Sequence, residues 1–445
     1  MRVLFVQPYD RSGSVKLFGR IYMSQLTLPL LAALVSPEHE VRIVDENVDP
    51  IDYDWPDVAG ITTMTQVAPR AYAIADEFRR RGKKVILGGV HPSLLPEEGL
   101  AHADAVVVGE AEGVINEVLE DLAAGRSRGI YRRAEKPDLV GMPIPRHDLV
   151  DISKYIDIPK VETSRGCPFN CNFCSTTPMF GNRMRYRPVE EVVEEIKKIK
   201  AEFVFFTDNN IVGNPKYAKE LFKALIPLKI SWISQGSLNL AHDLELLKLA
   251  ARSGCIGMLI GFESLGSRVI EAIGKKVNKV SEYARDVWRL HKHGIGIIGC
   301  FVFGFDEDDE SVFDRTVEFV KKVNIDVPQF TILTPYPGTA LREQLEKEGR
   351  IFHSQWDKYD VGHVVFRPAK MTAEALLNNY RRICREIFSW SQMMRRVLRS
   401  SLYLRSPYKT TVFWEINVVY RRLFELSAHD VHIGPIAQPS LEYSQ

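Results

Sequence analysis

The stretch Cys167-Pro168-Phe169-Asn170-Cys171-Asn172-Phe173-Cys174 decides how this chain folds and what it can hold. It sets three thiols at a C-x3-C-x2-C spacing, directly after a short strand-like run, Val161 to Ser164. Three thiolates on one loop can hold three irons of a cubane iron–sulfur cluster and leave the fourth iron without a protein ligand. A cluster that only carried electrons would take a fourth cysteine, and none follows within the next eighty residues. An open iron can bind a small molecule through amino and carboxylate groups, so the spacing points to chemistry at the cluster. A structural zinc ion is the competing reading, but it needs a fourth His or Cys at its own short spacing, and no such partner pair lies nearby. Cys255, Cys300 and Cys384 are scattered in apolar runs and read as small buried hydrophobes.

With Arg165 and Gly166 before it, the motif resembles the cluster loop of radical S-adenosylmethionine (SAM) enzymes. The resemblance implies that Cys167, Cys171 and Cys174 ligate a four-iron four-sulfur cluster whose open iron chelates the methionine part of SAM. Reductive cleavage of the sulfonium would give a 5′-deoxyadenosyl radical, which abstracts a hydrogen atom from the substrate. Phe173, between the second and third cysteines, is the family's aromatic shield. Physically, it would keep water from a strong reductant.

At 445 residues the chain exceeds the usual size of a single core, so two or three domains are expected. The 58 basic and 57 acidic side chains nearly cancel, which gives no global electrostatic case for nucleic acid. No run of eighteen apolar residues exists, and Met1-Arg-Val-Leu-Phe-Val-Gln-Pro is broken too soon for a signal peptide. Six cysteines with a metal-type cluster imply a reducing, cytoplasmic setting.

Residues 1–125 alternate strand-like and helix-like patterns. Compact apolar runs at Val3–Val6, Val41–Val44, Val58–Thr62, Lys84–Leu87 and Ala105–Val108 read as a doubly wound, Rossmann-like parallel sheet. A helix between the third and fourth runs puts Val67, Ala71, Ile74, Ala75 and Phe78 on one face. Ligands of such sheets lie beyond the carboxyl ends of the strands. Those ends carry Gln7, Thr62, Thr63, Thr65, Gly88, Gly89, His91, Gly109, Glu110 and Glu112. The order G-G-x-H-P followed by G-E-A-E resembles the cobalamin-binding domain that precedes many radical SAM domains, which makes these the candidate cobalamin contacts. Other domains of that kind carry D-x-H-x-x-G, whose His binds cobalt. Here the second strand ends Val44-Asp45-Glu46-Asn47-Val48-Asp49, so the resemblance implies base-off cobalamin without a His lower ligand. His91 is read as a wall or turn residue rather than a cobalt ligand.

Residues 126–158, with Pro137, Pro143 and Pro145 and little periodicity, read as a linker. From 159 to 350 the alternation resumes, with strand candidates at Val161–Ser164, Phe203–Thr207, Ile230–Ser234, Gly257–Gly261, Gly296–Phe303 and Gln329–Leu333. Six strand–helix units match the partial (β/α)6 barrel of the radical SAM family, whose active residues lie at the carboxyl ends of strands. Asp208 is expected to meet the SAM ammonium through a charge-assisted hydrogen bond. Asn209 stands beside it, or caps the helix before Pro215. Gln235 and Glu263 match family positions that approach SAM, and Glu263 needs a cationic or hydroxyl partner after its apolar run. Gly299 lies in a segment resembling the one that packs the adenine.

Residues 351–445 turn helical, aromatic and basic, with Arg381, Arg382, Arg385, Arg395, Arg396 and Arg399 among Trp390, Met393, Met394 and Trp414. The favoured reading is a helical cap on the barrel opening. The sharper one is an adaptable surface for a large apolar or anionic substrate, with peripheral membrane contact. The segment resembles the C-terminal extension of the branch that includes hopanoid-methylating enzymes. Together the resemblances imply a cobalamin-dependent radical SAM methyltransferase, acting on an unactivated carbon of a small-molecule or lipid-like substrate. Electrons would come from a donor such as flavodoxin or ferredoxin. Two alternatives stay open: the same cofactors used for cyclisation, ring contraction or oxidation without methyl transfer, and a non-catalytic cobalamin-binding sensor with a structural metal.

Overall fold

A computed structural model describes residues 1–10, 15–17, 20–21, 23–156 and 158–428. The end of the C-terminal extension, residues 429–445, lies outside the described residues. The N-terminal sheet has six parallel strands: β1 (Arg2–Gln7), β2 (Glu40–Asp45), β3 (Val58–Thr62), β4 (Lys84–Gly88), β5 (Ala105–Val108) and β6 (Gly129–Arg132). Their spatial order is β2-β1-β3-β4-β5-β6, with Val3 level with Val41 on one side and Val58 on the other. Alternation along the strands sends Val3, Phe5, Val58, Ile86 and Val107 to one helical layer. Leu4, Val6, Ala59, Ile61 and Leu87 go to the other, where α1 (Ala68–Arg80) buries Ala71, Ile74, Ala75 and Phe78. A sheet covered on both faces needs unbroken apolar strands, which is the pattern of Val3–Val6. The strand order reverses between β1 and β3, so the ligand crevice opens at Gln7 and Thr62.

One boundary is corrected. The segment expected to be linker from residue 126 contributes β6, which pairs in parallel with β5 from Ala105–Gly129 to Val108–Arg132. Its four residues bury only Tyr131 fully and are flanked by charge, too little apolar signal to stand out.

The second sheet is also parallel and six-stranded: β7 (Lys160–Val161), β8 (Phe203–Phe206), β9 (Ser231–Gly236), β10 (Cys255–Glu263), β11 (Gly296–Phe303) and β12 (Val327–Ile332). The strands follow one another in space in chain order, and no pairing joins β7 to β12, so the barrel is open along one side. The expected first strand is shorter than its apolar run. Ser164 and Arg165 leave the barrel and pair antiparallel with Arg185 and Tyr186, which brackets the cysteine loop with a two-rung ribbon. Helix α2 (Val189–Ile199) begins after Pro188 and buries Val192 and Ile196.

Three C-terminal helices complete the barrel. Helix α3 (Ala373–Ile387) packs Leu376, Leu377, Tyr380 and Ile383 into the outer helical layer. Helices α4 (Trp390–Leu404) and α5 (Pro407–Ala428) turn underneath, where Phe413 and Ile416 join Ile233, Ile256, Ile298 and Val327 inside the strand ring. Cβ atoms added at Gly257 and Gly296 would sit 2.7 and 2.2 Å from the Phe413 ring, so these two glycines exist to admit it. The capping helix therefore forms the floor of the barrel. Among the described residues, no helix is long and apolar enough to cross a membrane.

Candidate functional site

The cysteine loop leaves β7 at the carboxyl end of the barrel and is tied down at several points. Gly166 turns it at φ 91°, with its N–H donating to Asn209 Oδ1 at 3.2 Å. Further along, Asn172 N–H donates to the Ile273 carbonyl, and the Leu341 N–H donates to the Asn172 carbonyl at 3.0 Å. Phe173 packs edge-on against Phe305, with ring centroids 5.6 Å apart. All three cysteines are unpaired and half-buried. Burial raises the Cys167 thiol and pushes Cys171 up to about 12, with Lys275 pulling the other way, so a metal must draw the protons off.

Among the described residues, the one group of three or more His, Cys, Asp and Glu ligand atoms lying within 4.8 Å of each other is His242, Glu282 and Asp286. At least one pair of the three cysteine sulfurs therefore lies more than 4.8 Å apart, against the ~3.8 Å that Zn–S bonds of about 2.3 Å impose around one tetrahedral ion. Three free thiols on one loop fit a cluster.

The polar groups nearby fall into two classes. Gln235 shares the inner face of β9 with Ile233 and is exposed at the carboxyl end, facing the lumen. Glu263 closes β10 after a register shift, in the left-handed region at φ 64°. Its cationic partner is supplied by the chain itself: Lys275 Nζ donates to Glu263 Oε1 at 2.5 Å and to the Gly261 carbonyl at 2.8 Å. Burial opposes the charge of Lys275, but Glu263 and the adjacent Cys171 hold it protonated. Lys275 was missed in the sequence because it follows a helix rather than a strand.

One SAM-side expectation is corrected. Asp208 is fully buried, accepting from Thr163 Oγ1 at 2.6 Å, from the Thr163 N–H at 3.2 Å and from Ser164 Oγ. Three protein donors already engage it and it is fully buried, so it fixes the strand-to-loop turn instead of facing the lumen; burial raises its carboxyl. A Cβ added at Gly299 would point outward, 2.8 Å from Ile325 and 3.4 Å from Phe262, so the missing side chain allows close packing behind the strand. Asn209 holds the loop, the helix that begins at Pro215 is capped by Asn214, and Asn210 Nδ2 approaches Cys167 Sγ at 3.9 Å.

On the cobalamin side, Cβ atoms at Gly88 and Gly109 would meet nothing within 4 Å, so the backbone is open to a bulky ligand there. Thr63 Oγ1 is buried without a hydrogen-bond partner, Thr62 is half-buried beside it, and Gln7 Nε2 reaches only the Pro8 carbonyl at 3.4 Å. Gly89 adopts φ 96°, and its Cβ would strike the Thr63 carbonyl at 2.7 Å, so only glycine makes this turn. An orphaned hydroxyl beside the switch point and bare glycine backbone at the next strand ends fit cobalamin. A cavity of about 490 Å³ lies alongside, lined by Ser93, Gly109, Glu110, Lys136 and Met179.

Three residues expected to touch cobalamin are committed elsewhere. His91 is fully buried, with its ring nitrogens on Thr65 Oγ1 (3.4 Å) and Glu98 (3.3 Å) and its ring edge-on to Trp356, centroids 5.0 Å apart. It is a wall residue; burial lowers its pKa and keeps it neutral. Glu110 and Glu112 reach across to the barrel, pairing with Arg165 at 2.5 and 2.7 Å, while Glu110 also takes Arg185 at 2.6 Å. Burial would lift the Glu110 carboxyl, but Arg185 and Arg165 hold it below the usual range. On the other flank, Trp356 Nε1 donates to Glu98 at 2.8 Å, and Gly338 packs on Leu94. The cobalamin-type sheet is thus clamped over the barrel mouth on two sides.

Comparison with known proteins agrees with this arrangement. The Radical SAM superfamily matches residues 161–320, the B12 binding domain matches 22–119, and a domain of unknown function (DUF4070) matches 339–432. The chain is 35% identical over 408 residues to a bacteriochlorophyllide d C-12(1)-methyltransferase of Chlorobaculum tepidum, covering 88% of this chain and 89% of that protein. A bacteriochlorophyllide d C-8(2)-methyltransferase of the same organism is 34% identical, covering 84% and 87%. Among solved structures, the radical SAM methyltransferase TsrM from Kitasatospora setae superposes with a TM-score of 0.69 at 16% identity, covering 96% of this chain and 98% of that one, a likeness of fold. An iron–sulfur cluster, SAM and cobalamin follow from these domains, and the chain belongs to the cobalamin-dependent radical SAM methyltransferases.

Proposed function

We propose that this enzyme methylates an unactivated carbon of an apolar small molecule, tetrapyrrole-like or lipid-like, by way of a 5′-deoxyadenosyl radical. The single observation that carries the proposal is the clamp: the open strand ends of the cobalamin-type sheet are held directly over the cysteine loop by Arg165. Two cofactors that share one crevice can act on one substrate carbon. The cluster and SAM supply hydrogen abstraction, and cobalamin supplies the methyl group. Bacteriochlorophyllide methyltransferases as relatives favour a large, flat, apolar acceptor.

In this proposal Cys167, Cys171 and Cys174 ligate the cluster, and Phe173 screens it from water. Lys275 holds a buried positive charge beside Cys171 and Glu263, suited to an anionic group of SAM, while Gln235 offers its amide from the neighbouring strand end. Gln7, Thr62, Thr63, Gly88 and Gly109 line the cobalamin face. The second strand ends in Asp45, which accepts the Tyr155 hydroxyl at 3.0 Å, and it carries no His there, in keeping with base-off binding without a lower His ligand. A flavodoxin- or ferredoxin-type donor would supply electrons.

Anaerobically reconstituted enzyme, given methyl-deuterated SAM, cobalamin, reductant and a tetrapyrrole or lipid extract, tests the proposal. A product heavier by one labelled methyl, with 5′-deoxyadenosine formed alongside it, is expected. A product without mass gain would replace methylation with cyclisation or oxidation, and absence of 5′-deoxyadenosine would refute the radical route.

A further inference from the structure

From Ser389 to Trp414 the chain has no Asp or Glu but carries Arg395, Arg396, Arg399, Arg405 and Lys409, although the whole sequence is balanced at 58 basic to 57 acidic residues. Helix α4 runs through this stretch and buries Met393, Val397 and Leu404 against the barrel. Beside that face the helix exposes Trp390 (52%), Met394 (55%), Leu398 (68%) and Leu402 (77%). These four recur every fourth residue and so form one continuous line along the helix. Arg395, Arg399 and Arg405 are exposed beside them. Trp390 leans on Trp414 of α5, with ring centroids 5.9 Å apart, but such packing does not account for Met394, Leu398 and Leu402, each more than half exposed.

We propose that this outer face of α4 docks on an anionic lipid bilayer. An exposed apolar stripe tipped by Trp and flanked by arginines lets the side chains enter the acyl boundary while the guanidiniums meet the headgroups. A second copy of the chain is a poor occupant, since a two-fold interface would set these cations against their own equivalents. The inference goes beyond the proposed activity because the surface lies at the far end of the barrel from the cysteine loop. There Tyr403 stacks on His291 with ring centroids 3.8 Å apart, and its hydroxyl accepts from Asn324 at 2.8 Å, beneath the starts of β11 and β12. The contact therefore tethers the enzyme rather than feeding its site.

Sedimentation of the reconstituted holoenzyme with vesicles of phosphatidylcholine alone, or with about 30 mol% phosphatidylglycerol, tests this. Binding is expected only to the anionic vesicles and weakens with added salt. Leu398→Asp with Leu402→Asp lowers partitioning about tenfold or more, and Arg395→Ala lowers it roughly fivefold. Both variants keep wild-type 5′-deoxyadenosine formation, which shows the fold intact. Equal or absent partitioning on both vesicle types, or variants that bind like wild type, would overturn the proposal. So would light scattering that shows a wild-type dimer made monomeric by the leucine substitutions.

Discussion

Replacing Glu110 by Gln strikes the clamp between the two sheets at its centre. The carboxylate is 3% exposed and accepts from Arg165 at 2.5 Å and from Arg185 at 2.6 and 2.9 Å. Removing one partner of a buried ion pair typically costs about 3–5 kcal/mol, because the remaining charge is stranded. Here the loss is shared unequally. Arg165 keeps Glu112 and Glu162, at 2.7 and 2.8 Å, whereas Arg185 keeps only the Pro137 carbonyl. The lower end, about 3 kcal/mol, is therefore expected, a shift of roughly 150-fold between clamped and opened states. Hydrogen exchange of the loop amides from Gly166 to Phe180 reads that opening directly and should quicken about 100-fold. Glu117→Gln, which breaks an exposed pair with Arg128, serves as the control and should leave the loop unchanged. If loop exchange and melting of Glu110→Gln match wild type, the clamp carries no energy and the argument for a shared crevice weakens with it.

Cys171→Ala should abolish 5′-deoxyadenosine formation while leaving cobalamin uptake intact, as measured by product chromatography and by the absorbance of bound cobalamin. Gly299→Ala forces a methyl against Ile325 and should cost about 1–3 kcal/mol in denaturant melts, with SAM affinity unchanged in the protein that remains folded. Burial pushes Glu162 up to about 7 despite Arg165. A carboxyl raised in the folded state binds its extra proton only there, so stability falls as pH rises from about 4.5 to about 7, by up to about 3 kcal/mol. Melting curves of Glu162→Gln across that window should lack this part of the slope, and an identical slope would refute the assignment. Phe413→Ala leaves a void over Gly257 and Gly296 and should cost about 3–5 kcal/mol in thermal unfolding.

Much of this was legible in residue order because the signals are local. The cysteine spacing and the apolar runs of β1 to β5 and β8 to β12 can be recognised within a few residues. What escaped depends on side-chain direction and on distant partners. Gly299 has the neighbours of a ligand-facing glycine, and only the alternation of β11 shows that it points outward. Asp208 looks like a ligand carboxylate until Thr163 and Ser164 fold back onto it. Glu110 and Glu112 sit where a cofactor contact should be, yet their partners lie some fifty to seventy-five residues away, in another domain. Lys275 and Trp356 gave no signal, since each acquires its meaning only from a contact across the fold.

The floor of the barrel has a consequence for biogenesis. Phe413 and Ile416 are translated long after the strands whose inner faces they cover. Until α5 leaves the ribosome, Ile233, Ile256 and Ile298 line an unfilled apolar trough, the kind of transient surface that invites aggregation in nascent chains. Cluster loading should therefore wait on synthesis of the C-terminal helix, even though every cysteine that receives the iron has emerged far earlier.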